Sequence, residues 1–218
     1  MLVGQAVSPG GFRLAWTMLE YKRKLPHFHP DDVYIFLTWR LWKSLPSYCT
    51  GLPGAMAGRA FVMNDRLLDR DTLGPVWLRH PEIARMVAET LQAGDVERHF
   101  YELGAWVVMP NHVHVLMLPR TGLPIITRWL KGSTARQANR LLARTGQPFW
   151  QDESYDHWVR NEKQLIRIIN YIEQNPVTAG LAECAELWPW SSAGWQAKPP
   201  TPPRQPSPTL GRSFNSSQ

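Results

Sequence analysis

Cysteine is scarce in this chain. Among 218 residues only Cys49 and Cys184 are present, far apart and without a partner motif. This excludes a disulfide framework and a CxxC zinc site, and it is typical of a protein from a reducing compartment.

Long apolar runs are also lacking. No uninterrupted apolar stretch reaches the roughly 20 residues that a membrane-spanning helix needs. The opening residues, MLVGQAVSPGG, do not show a basic segment followed by an apolar run, which is the pattern of a secretory signal. Together with the low cysteine content, these absences predict a cytoplasmic protein without a membrane partner.

Acidic residues are the minority among the charged ones. The chain has 18 Asp and Glu against 24 Lys and Arg, which gives a formal net charge of +6. A basic balance favours a polyanion such as nucleic acid as a partner. An ordinary basic protein has the same balance, so charge alone leaves both interpretations open.

The length of the chain allows one well-formed core with extensions, but not two full domains. Residues 1–30 include the basic, proline-containing stretch KRKLPHFHP and are expected to form an N-terminal arm. Residues 197–218 are rich in Pro and Ser with almost no apolar side chains, which predicts a disordered tail. Residues 31–196 are therefore expected to fold as one domain.

The apolar pattern within this domain predicts alternating strands and helices. Strands are expected at VYIFLTWRL (33–41), FYELGAWVVM (100–109), HVHVLML (112–118) and SYDHWV (154–159). Helices are expected over residues 60–70, 80–94, 123–145 and 161–175. The Pro-Asn turn between the second and third strands predicts a hairpin. This order is typical of an α+β fold in which helices pack on an antiparallel sheet.

The third predicted strand carries two histidines within an apolar segment, VVMPNHVHVLMLP. Residues two apart on a strand share a face, so His112 and His114 lie side by side while Val113 and Val115 point to the core. Two imidazoles on a rigid strand form either a bidentate metal site or a pair of structural histidines that are hydrogen-bonded to neighbours. A metal would need a third ligand from elsewhere in the chain.

The last predicted helix offers candidates for that ligand. Asn161 is its expected N-cap, and Pro176 and Gly180 are expected to close it. Tyr171 and Asn175 are four residues apart and so lie one above the other on a flank of the apolar stripe. Taken singly, they have ordinary interpretations as a core-edge tyrosine and a helix C-cap. Their combination with the paired histidines in a basic chain favours a functional site.

Three segments of the chain together resemble a known family. MPNHVHVL, FWQDESYDHWVRNEKQLIRIINYIEQNPVTAGL and WPWSSA are similar to segments of the REP-associated tyrosine transposases. These are relatives of the single-tyrosine IS200/IS605 transposases within the HUH endonuclease group. The resemblance covers roughly residues 25–195, and the YIxxNPVxAGL segment after the paired histidines makes it specific.

The resemblance implies a ferredoxin-like HUH core, with a central antiparallel sheet and packed helices. It implies His112 and His114 as ligands of a divalent metal, Mg²⁺ or Mn²⁺, and Tyr171 as the nucleophile. Asn175 would be the third metal ligand, at a position that is usually glutamine in IS200/IS605 enzymes. Gln174, one residue earlier, is a weaker candidate.

The implied reaction is metal-dependent cleavage and rejoining of single-stranded DNA at REP-like hairpins, as in DNA transposition and recombination. Tyr171 would attack a phosphodiester and leave a free 3′-hydroxyl and a 5′-phosphotyrosine link. A monomer is expected, with a dimer as the alternative. Two other functions stay open. One is a catalytically inactive hairpin-binding protein with the same fold, and the other is a metal-dependent phosphoesterase that uses water as the nucleophile.

Basic and aromatic residues suggest DNA contacts, because single strands are held by cationic grooves and by stacking. The helix over residues 123–145 is expected to present Lys131, Arg136, Arg140 and Arg144 on a basic face, although a simply solvated face has the same pattern.

Other DNA-contact candidates lie elsewhere in the chain. Arg167 lies on the tyrosine helix and can reach phosphates. Trp39 and Trp42 are the stacking candidates. His157 is a further candidate ligand or base, with a strand-edge histidine as the alternative.

Overall fold

The computed structural model describes residues 19–22, 26–29, 32–45, 67–68 and 74–197. Two short strands, β1 (Leu19–Lys22) and β2 (Pro26–His29), pair with each other as an antiparallel ladder that is separate from the main sheet. They fall within the predicted arm of residues 1–30. The predicted tail lies outside the described residues from residue 198 onward, so the domain boundaries stay predictions.

The main sheet has four antiparallel strands, β3 (Ile35–Arg40), β4 (Tyr101–Val108), β5 (His112–Pro119) and β6 (Tyr155–Trp158), in the order β4-β5-β3-β6. Helix α1 (Pro81–Val96) connects β3 to β4, and helix α2 (Leu123–Leu141) connects β5 to β6. This β-α-β-β-α-β succession is the ferredoxin-like arrangement. The predicted fold class is therefore confirmed, and so is the hairpin of β4 and β5.

Two further helices follow the sheet, α3 (Glu162–Thr178) and α4 (Ser192–Ala197). The predicted helix over residues 60–70 lies outside the described residues except for residues 67 and 68, which are helical. Cys184 is an exposed free thiol, and Cys49 lies outside the described part. Across the described residues, no helix is both long and apolar enough to cross a membrane.

The two faces of the sheet are covered by different helices because alternate strand residues point in opposite directions. On one face, which we call the helix-pair face, side chains such as Leu37, Val113 and Val115 pack against α1 and α2. On the other, which we call the site face, Phe36 and Leu116 pack against Ile172 of α3. Both faces are buried, so the histidine face of β5 meets a helix rather than water.

The sequence predicted the start of helix α3 correctly, but not its end. Its start is confirmed, since the side chain of Asn161 accepts a hydrogen bond of 2.9 Å from the backbone N–H of Gln164. Its predicted end before Pro176 is wrong, because the helix runs on to Thr178. Pro176 lacks a backbone donor, but its carbonyl still accepts from the N–H of Leu181 at 2.8 Å. Gly180 then takes the left-handed conformation, with φ of 70°, that leads the chain away.

Helix α2 is shorter than predicted. It ends at Leu141, and Ala143 adopts a left-handed φ of 52°. Arg144 therefore does not continue the line of Arg136 and Arg140. Its guanidinium carbon instead lies 3.7 Å from the centre of the Trp77 ring, in a cation–π contact.

Candidate metal and nucleophile site

The two histidines start β5 and lie fully buried on the site face. In the antiparallel register, His112 is opposite Arg40 and His114 is opposite Thr38 of β3. Directly opposed residues project to the same face of a sheet. The strand pairing therefore surrounds the imidazoles with polar side chains from the neighbouring strand.

His112 is held through its Nδ1 atom. This nitrogen lies 2.6 Å from Oδ1 of Asn111, which itself donates from Nδ2 to the carbonyl of Leu68 at 2.8 Å. Because the Asn111 amide uses its NH₂ group on Leu68, its oxygen faces the imidazole, where an oxygen can accept a hydrogen bond from a ring N–H.

His114 is held in the same way from the other side. Its Nδ1 lies 2.7 Å from the hydroxyl oxygen of Thr38, and its Nε2 lies 3.0 Å from Nε2 of His112. The ring also stacks on Phe36, with 5.6 Å between centroids and 25° between planes. Both Nε2 atoms thus lie at the same place beside the strand.

Asn175 of α3 approaches the same point. Its Nδ2 atom lies 3.5 Å from Nε2 of His114, and the residue is 3% exposed. Within the described part of the chain, its Oδ1 atom is buried without a hydrogen-bond partner. A buried acceptor without a hydrogen-bond partner lowers the stability of the folded state. Binding of a cation by that acceptor is one physical reason for a protein to keep it.

These donors fit a divalent metal ion. Two imidazole nitrogens 3.0 Å apart beside a buried amide are a donor set that would suit Mg²⁺ or Mn²⁺. Rotation of the Asn175 amide would bring its buried oxygen to the same place as a third donor. In the described ranges, no set of three or more His, Cys, Asp and Glu side chains forms an alternative cluster.

Tyr171 lies one helical turn before Asn175 on α3, and the structure brings it to the histidines. Its ring centroid is 5.5 Å from that of His114 and 6.0 Å from that of Phe36, perpendicular to the latter. The residue is partly exposed, so the site face is accessible at this point. The nucleophile predicted from the sequence therefore lies beside the predicted metal ligands.

A second tyrosine lies on the far side of Phe36. The ring of Tyr155 on β6 is 6.3 Å from that of Phe36. Burial, together with the carboxylate of Asp156, raises the pKa of Tyr155 above its ordinary value of 10.0. Because both tyrosine rings contact Phe36, Tyr155 serves as a comparison for Tyr171.

The predicted DNA-binding residues are divided between two parts of the molecule. Arg167 is exposed on α3, one turn before Tyr171. Arg136 and Arg140 are exposed on α2, which packs on the helix-pair face across the sheet from the histidines. Lys131 donates from Nζ to the carbonyl of Asp152 at 2.7 Å. Only Arg167 shares a helix face with the tyrosine.

The structure corrects or refines three further predictions. Trp39 is 3% exposed and packs edge-on against Trp150, so it cannot stack on a base without unfolding part of the core. Trp42 is partly exposed and stays a stacking candidate. The Nε2 atom of His157, a candidate ligand or base, lies 2.6 Å from Nε2 of Gln164. This hydrogen bond joins β6 to the first turn of α3.

Sequence reasoning missed the residues that hold the histidines. Asn111 directly precedes His112, and a polar residue at that place was a usable signal. Thr38 and Phe36 carry no such signal, because their roles depend on the pairing register of β3 with β5.

Comparisons with known proteins found similar chains. A family model described as "Transposase IS200 like" matches residues 80–175. A provisionally named REP-associated tyrosine transposase of Haemophilus influenzae is 32% identical over 107 residues, covering 44% of this chain and 61% of the relative. A REP-associated tyrosine transposase of Escherichia coli K12 is 30% identical over 93 residues, covering 42% of this chain and 54% of the relative. The matched part is thus less than two thirds of the length of either relative.

A solved structure of a REP-associated tyrosine transposase bound to a REP hairpin aligns with 92% of this chain and 99% of that chain, with a TM-score of 0.48 and 20% identity. The segment matched by the family model contains both histidines, Tyr171 and Asn175. Over this segment the chain is similar to the IS200-like transposases and to the REP-associated tyrosine transposases, so the resemblance that its motifs predicted is confirmed.

Proposed function

We propose that this chain is a metal-dependent single-stranded DNA endonuclease and strand transferase that acts at REP-like hairpins through a 5′-phosphotyrosine intermediate. One observation carries the proposal. Helix α3 brings Tyr171 within 5.5 Å of the His114 ring, between centroids, and the same helix brings Asn175 to the Nε2 atom of His114. A nucleophile and a set of metal donors thus converge on one place.

Tyr171 forms the covalent link in this proposal. Its phenolic oxygen bonds to phosphorus while the bond from phosphorus to the 3′-oxygen breaks. The phenol loses its proton, and the departing 3′-oxygen gains one to become a hydroxyl. The energy of the broken ester is kept in the phosphotyrosine, so attack by a 3′-hydroxyl rejoins DNA without another energy source.

The environment of Tyr171 suits this role better than that of Tyr155. An ordinary tyrosine ionises near pH 10 and is a weak nucleophile at neutral pH. Burial raises the pKa of Tyr155 further, and Tyr171 lies directly beside the donor cluster. The edge of Phe36 and the ring of His114 hold the Tyr171 ring in place from two sides.

His112, His114 and Asn175 would hold the metal ion. A divalent ion there supplies Lewis-acid polarisation of the phosphate oxygens. All three donors are neutral, so they leave the full charge of an ion to attract a phosphate. Imidazole nitrogens suit Mn²⁺ better than Mg²⁺, and the amide oxygen suits both.

The charges around the site support a DNA substrate. Arg40 pairs in register with His112 on the site face, and Arg167 is exposed one turn before Tyr171. Guanidinium groups bind phosphates through several donors at once, so Arg40 can serve more than one partner. The names of the two relatives support REP sequences as the class of target. We also propose that a monomer is sufficient, because helix α3 brings Tyr171 and Asn175 to His114 of the same chain.

The test is a denaturing gel of the full chain incubated with end-labelled hairpin single strands and Mn²⁺. We expect a protein–DNA adduct that chelation of the metal prevents and that peptide mass spectrometry locates at Tyr171. Tyr171→Phe should lower adduct formation by at least about 10³-fold, and Tyr155→Phe should retain it.

Other outcomes would support other functions. Hairpin binding without any adduct would indicate the catalytically inactive binding protein. Cleavage that survives Tyr171→Phe and leaves no adduct would indicate a phosphoesterase that uses water.

A further inference from the structure

We propose that single-stranded DNA reaches Tyr171 along the exposed side of α3, from a stacking site at Trp158. The inference deepens the proposed function and rests on its substrate class. The track consists of Trp158, at the end of β6, and of three cations that we call the α3 cations, Arg160, Lys163 and Arg167.

Trp158 is a large aromatic residue that does not take part in the core. It is partly exposed at the end of β6, the edge strand of the sheet. Among the described residues, it belongs to neither of the two hydrophobic clusters that cover the faces of the sheet, whereas Trp106 and Trp150 are buried in one of them. An exposed indole offers a wide apolar surface to a partner, so Trp158 is suited to binding.

Arg160 connects Trp158 to α3. Its guanidinium carbon lies 5.3 Å from the centre of the Trp158 ring, in a cation–π contact. Its backbone N–H donates to Oε1 of Gln164 at 2.9 Å, which fixes the segment between β6 and α3. An aromatic ring and a cation thus lie side by side. These are the two components with which proteins hold single strands.

The other two α3 cations lead along the helix toward the nucleophile. Lys163, Arg167 and Tyr171 are spaced by four residues, so they lie one above the other. At 1.5 Å per residue, the line from Lys163 to Tyr171 is about 12 Å long. Arg167 donates from Nε to the carbonyl of Lys163 at 3.3 Å, so its guanidinium lies back along the helix. A line of positive charge therefore runs from the edge strand to Tyr171.

The positive charge of this line is not neutralised within the described part of the chain. The α3 cations are exposed, and none of them forms an ion pair with a described carboxylate. Glu173 is engaged elsewhere, since its Oε1 atom accepts from the hydroxyl of Ser192 at 3.2 Å. Glu162 is exposed next to Lys163, but consecutive helix residues do not face each other. Such a line favours the phosphates of a polyanion.

A single strand fits the track better than a duplex. Bases inside a duplex are stacked on both sides, so Trp158 can stack only on an unpaired base or at a duplex end. Trp158 is opposite Ile35 in the strand register and so points to the helix-pair face, whereas Tyr171 contacts His114 on the site face. The nucleic acid must therefore turn around the edge of the sheet, which a stiff duplex does not do over so short a distance.

The test measures binding in chelator, with Tyr171→Phe as the parent so that no cleavage occurs. The ligands are a labelled oligothymidine and a fully paired hairpin without single-stranded ends. Arg160→Gln, Lys163→Gln and Arg167→Gln are combined in one variant. For oligothymidine, the variant should reduce the slope of log Kd against log salt concentration by about two, because each phosphate contact to a single strand contributes about 0.7. The slope for the paired hairpin should stay the same, and equal reductions for both ligands would overturn the proposal.

A matched variant removes the same charge elsewhere. Arg128, Arg136 and Arg140 are exposed on α2. Combining Arg128→Gln, Arg136→Gln and Arg140→Gln should leave the slope for oligothymidine unchanged. A reduction as large as that of the α3 variant would show that net charge, and not the track, governs binding.

Trp158→Ala tests the stacking site. Loss of one stacked base should weaken oligothymidine binding by about 5- to 150-fold, and Trp158→Phe should retain most of the affinity. Trp129→Ala is the control, because Trp129 is also partly exposed but packs against the helix-pair cluster and edge-on to Phe100. It should lower stability and leave the affinity of the folded fraction unchanged. Unchanged affinity in Trp158→Ala would overturn the stacking site.

Crosslinking locates the strand without altering the protein. Photo-crosslinking of an iodouracil-substituted single strand, followed by peptide mass spectrometry, should place the link at Trp158, and a link on α2 instead would contradict the track. None of these readouts uses metal or cleavage. The expected losses in a chain that forms no adduct would reject the proposed reaction and leave the track standing. Adduct formation together with unchanged binding in the α3 variant would reject the track alone.

Discussion

The helix-pair face and the site face belong to the same four strands, yet they differ in chemistry. On the helix-pair face, apolar side chains from β3, β4 and β5 pack against α1 and α2. The site face holds buried Thr38, His112 and His114, and α3 adds Asn175 to them. Adjacent residues of one strand thus serve two different purposes, since consecutive side chains alternate between the faces.

The difference shows where the stability of this fold comes from. Burying apolar surface contributes roughly 25 cal/mol per Å², whereas a buried polar group costs free energy unless it is hydrogen-bonded. The site face keeps at least one buried acceptor, Oδ1 of Asn175, without a partner in the described part of the chain. We therefore expect changes on the helix-pair face to affect folding and changes on the site face to affect binding.

The largest expected effect is on the helix-pair face. Leu91→Ala, at a fully buried position of α1, should lower the free energy of unfolding by about 2–5 kcal/mol because it leaves a cavity. Denaturant unfolding measures this change. Mn²⁺ affinity of the folded fraction should stay the same, and a parallel loss of metal affinity would break the separation of the two faces.

The second expected effect is a loss of metal affinity without a loss of thermal stability. Asn175→Leu removes a proposed ligand and should weaken Mn²⁺ binding by at least about tenfold. In metal-free protein it also removes an unsatisfied acceptor, so thermal stability in chelator should not fall. Titration calorimetry and melting curves measure the two quantities.

The matched control for Asn175 lies on the other side of the sheet. Asn139 of α2 is also buried and also has an Oδ1 atom without a partner in the described residues, but its Nδ2 atom donates to the Gln147 carbonyl at 2.7 Å. Asn139→Leu should lower stability and leave Mn²⁺ affinity unchanged. If both variants lost metal affinity, Asn175 would not be a ligand.

The smallest expected effect concerns DNA. Arg167→Gln, beside Tyr171, should weaken binding of a single-stranded hairpin and reduce the slope of log Kd against log salt concentration by about one. Arg136→Gln, on the exposed side of α2, changes the charge by the same amount on the helix-pair side. Salt-dependent binding curves compare the two. Equal losses of hairpin affinity in the two variants would show that DNA also contacts α2.

Several parts of the structure could be predicted because they depend on neighbours along the chain. The strands and helices follow from the spacing of the apolar residues. The N-cap at Asn161 follows from the acceptor oxygen of its side chain. The errors came from competition between local and tertiary effects. Pro176 stays inside α3 because the packed last turn tolerates a missing donor, and Arg144 leaves the line of α2 to contact Trp77.

The amino-acid sequence by itself determined the two histidines that share a strand face, the tyrosine and asparagine that share a helix face, and the order of elements. Only the tertiary structure decided that these two faces meet, because the contact of His114 with Asn175 joins residues 61 positions apart. It also decided that Thr38, Asn111 and Phe36 hold the site, since strand register and burial arise from packing of the whole sheet against α3.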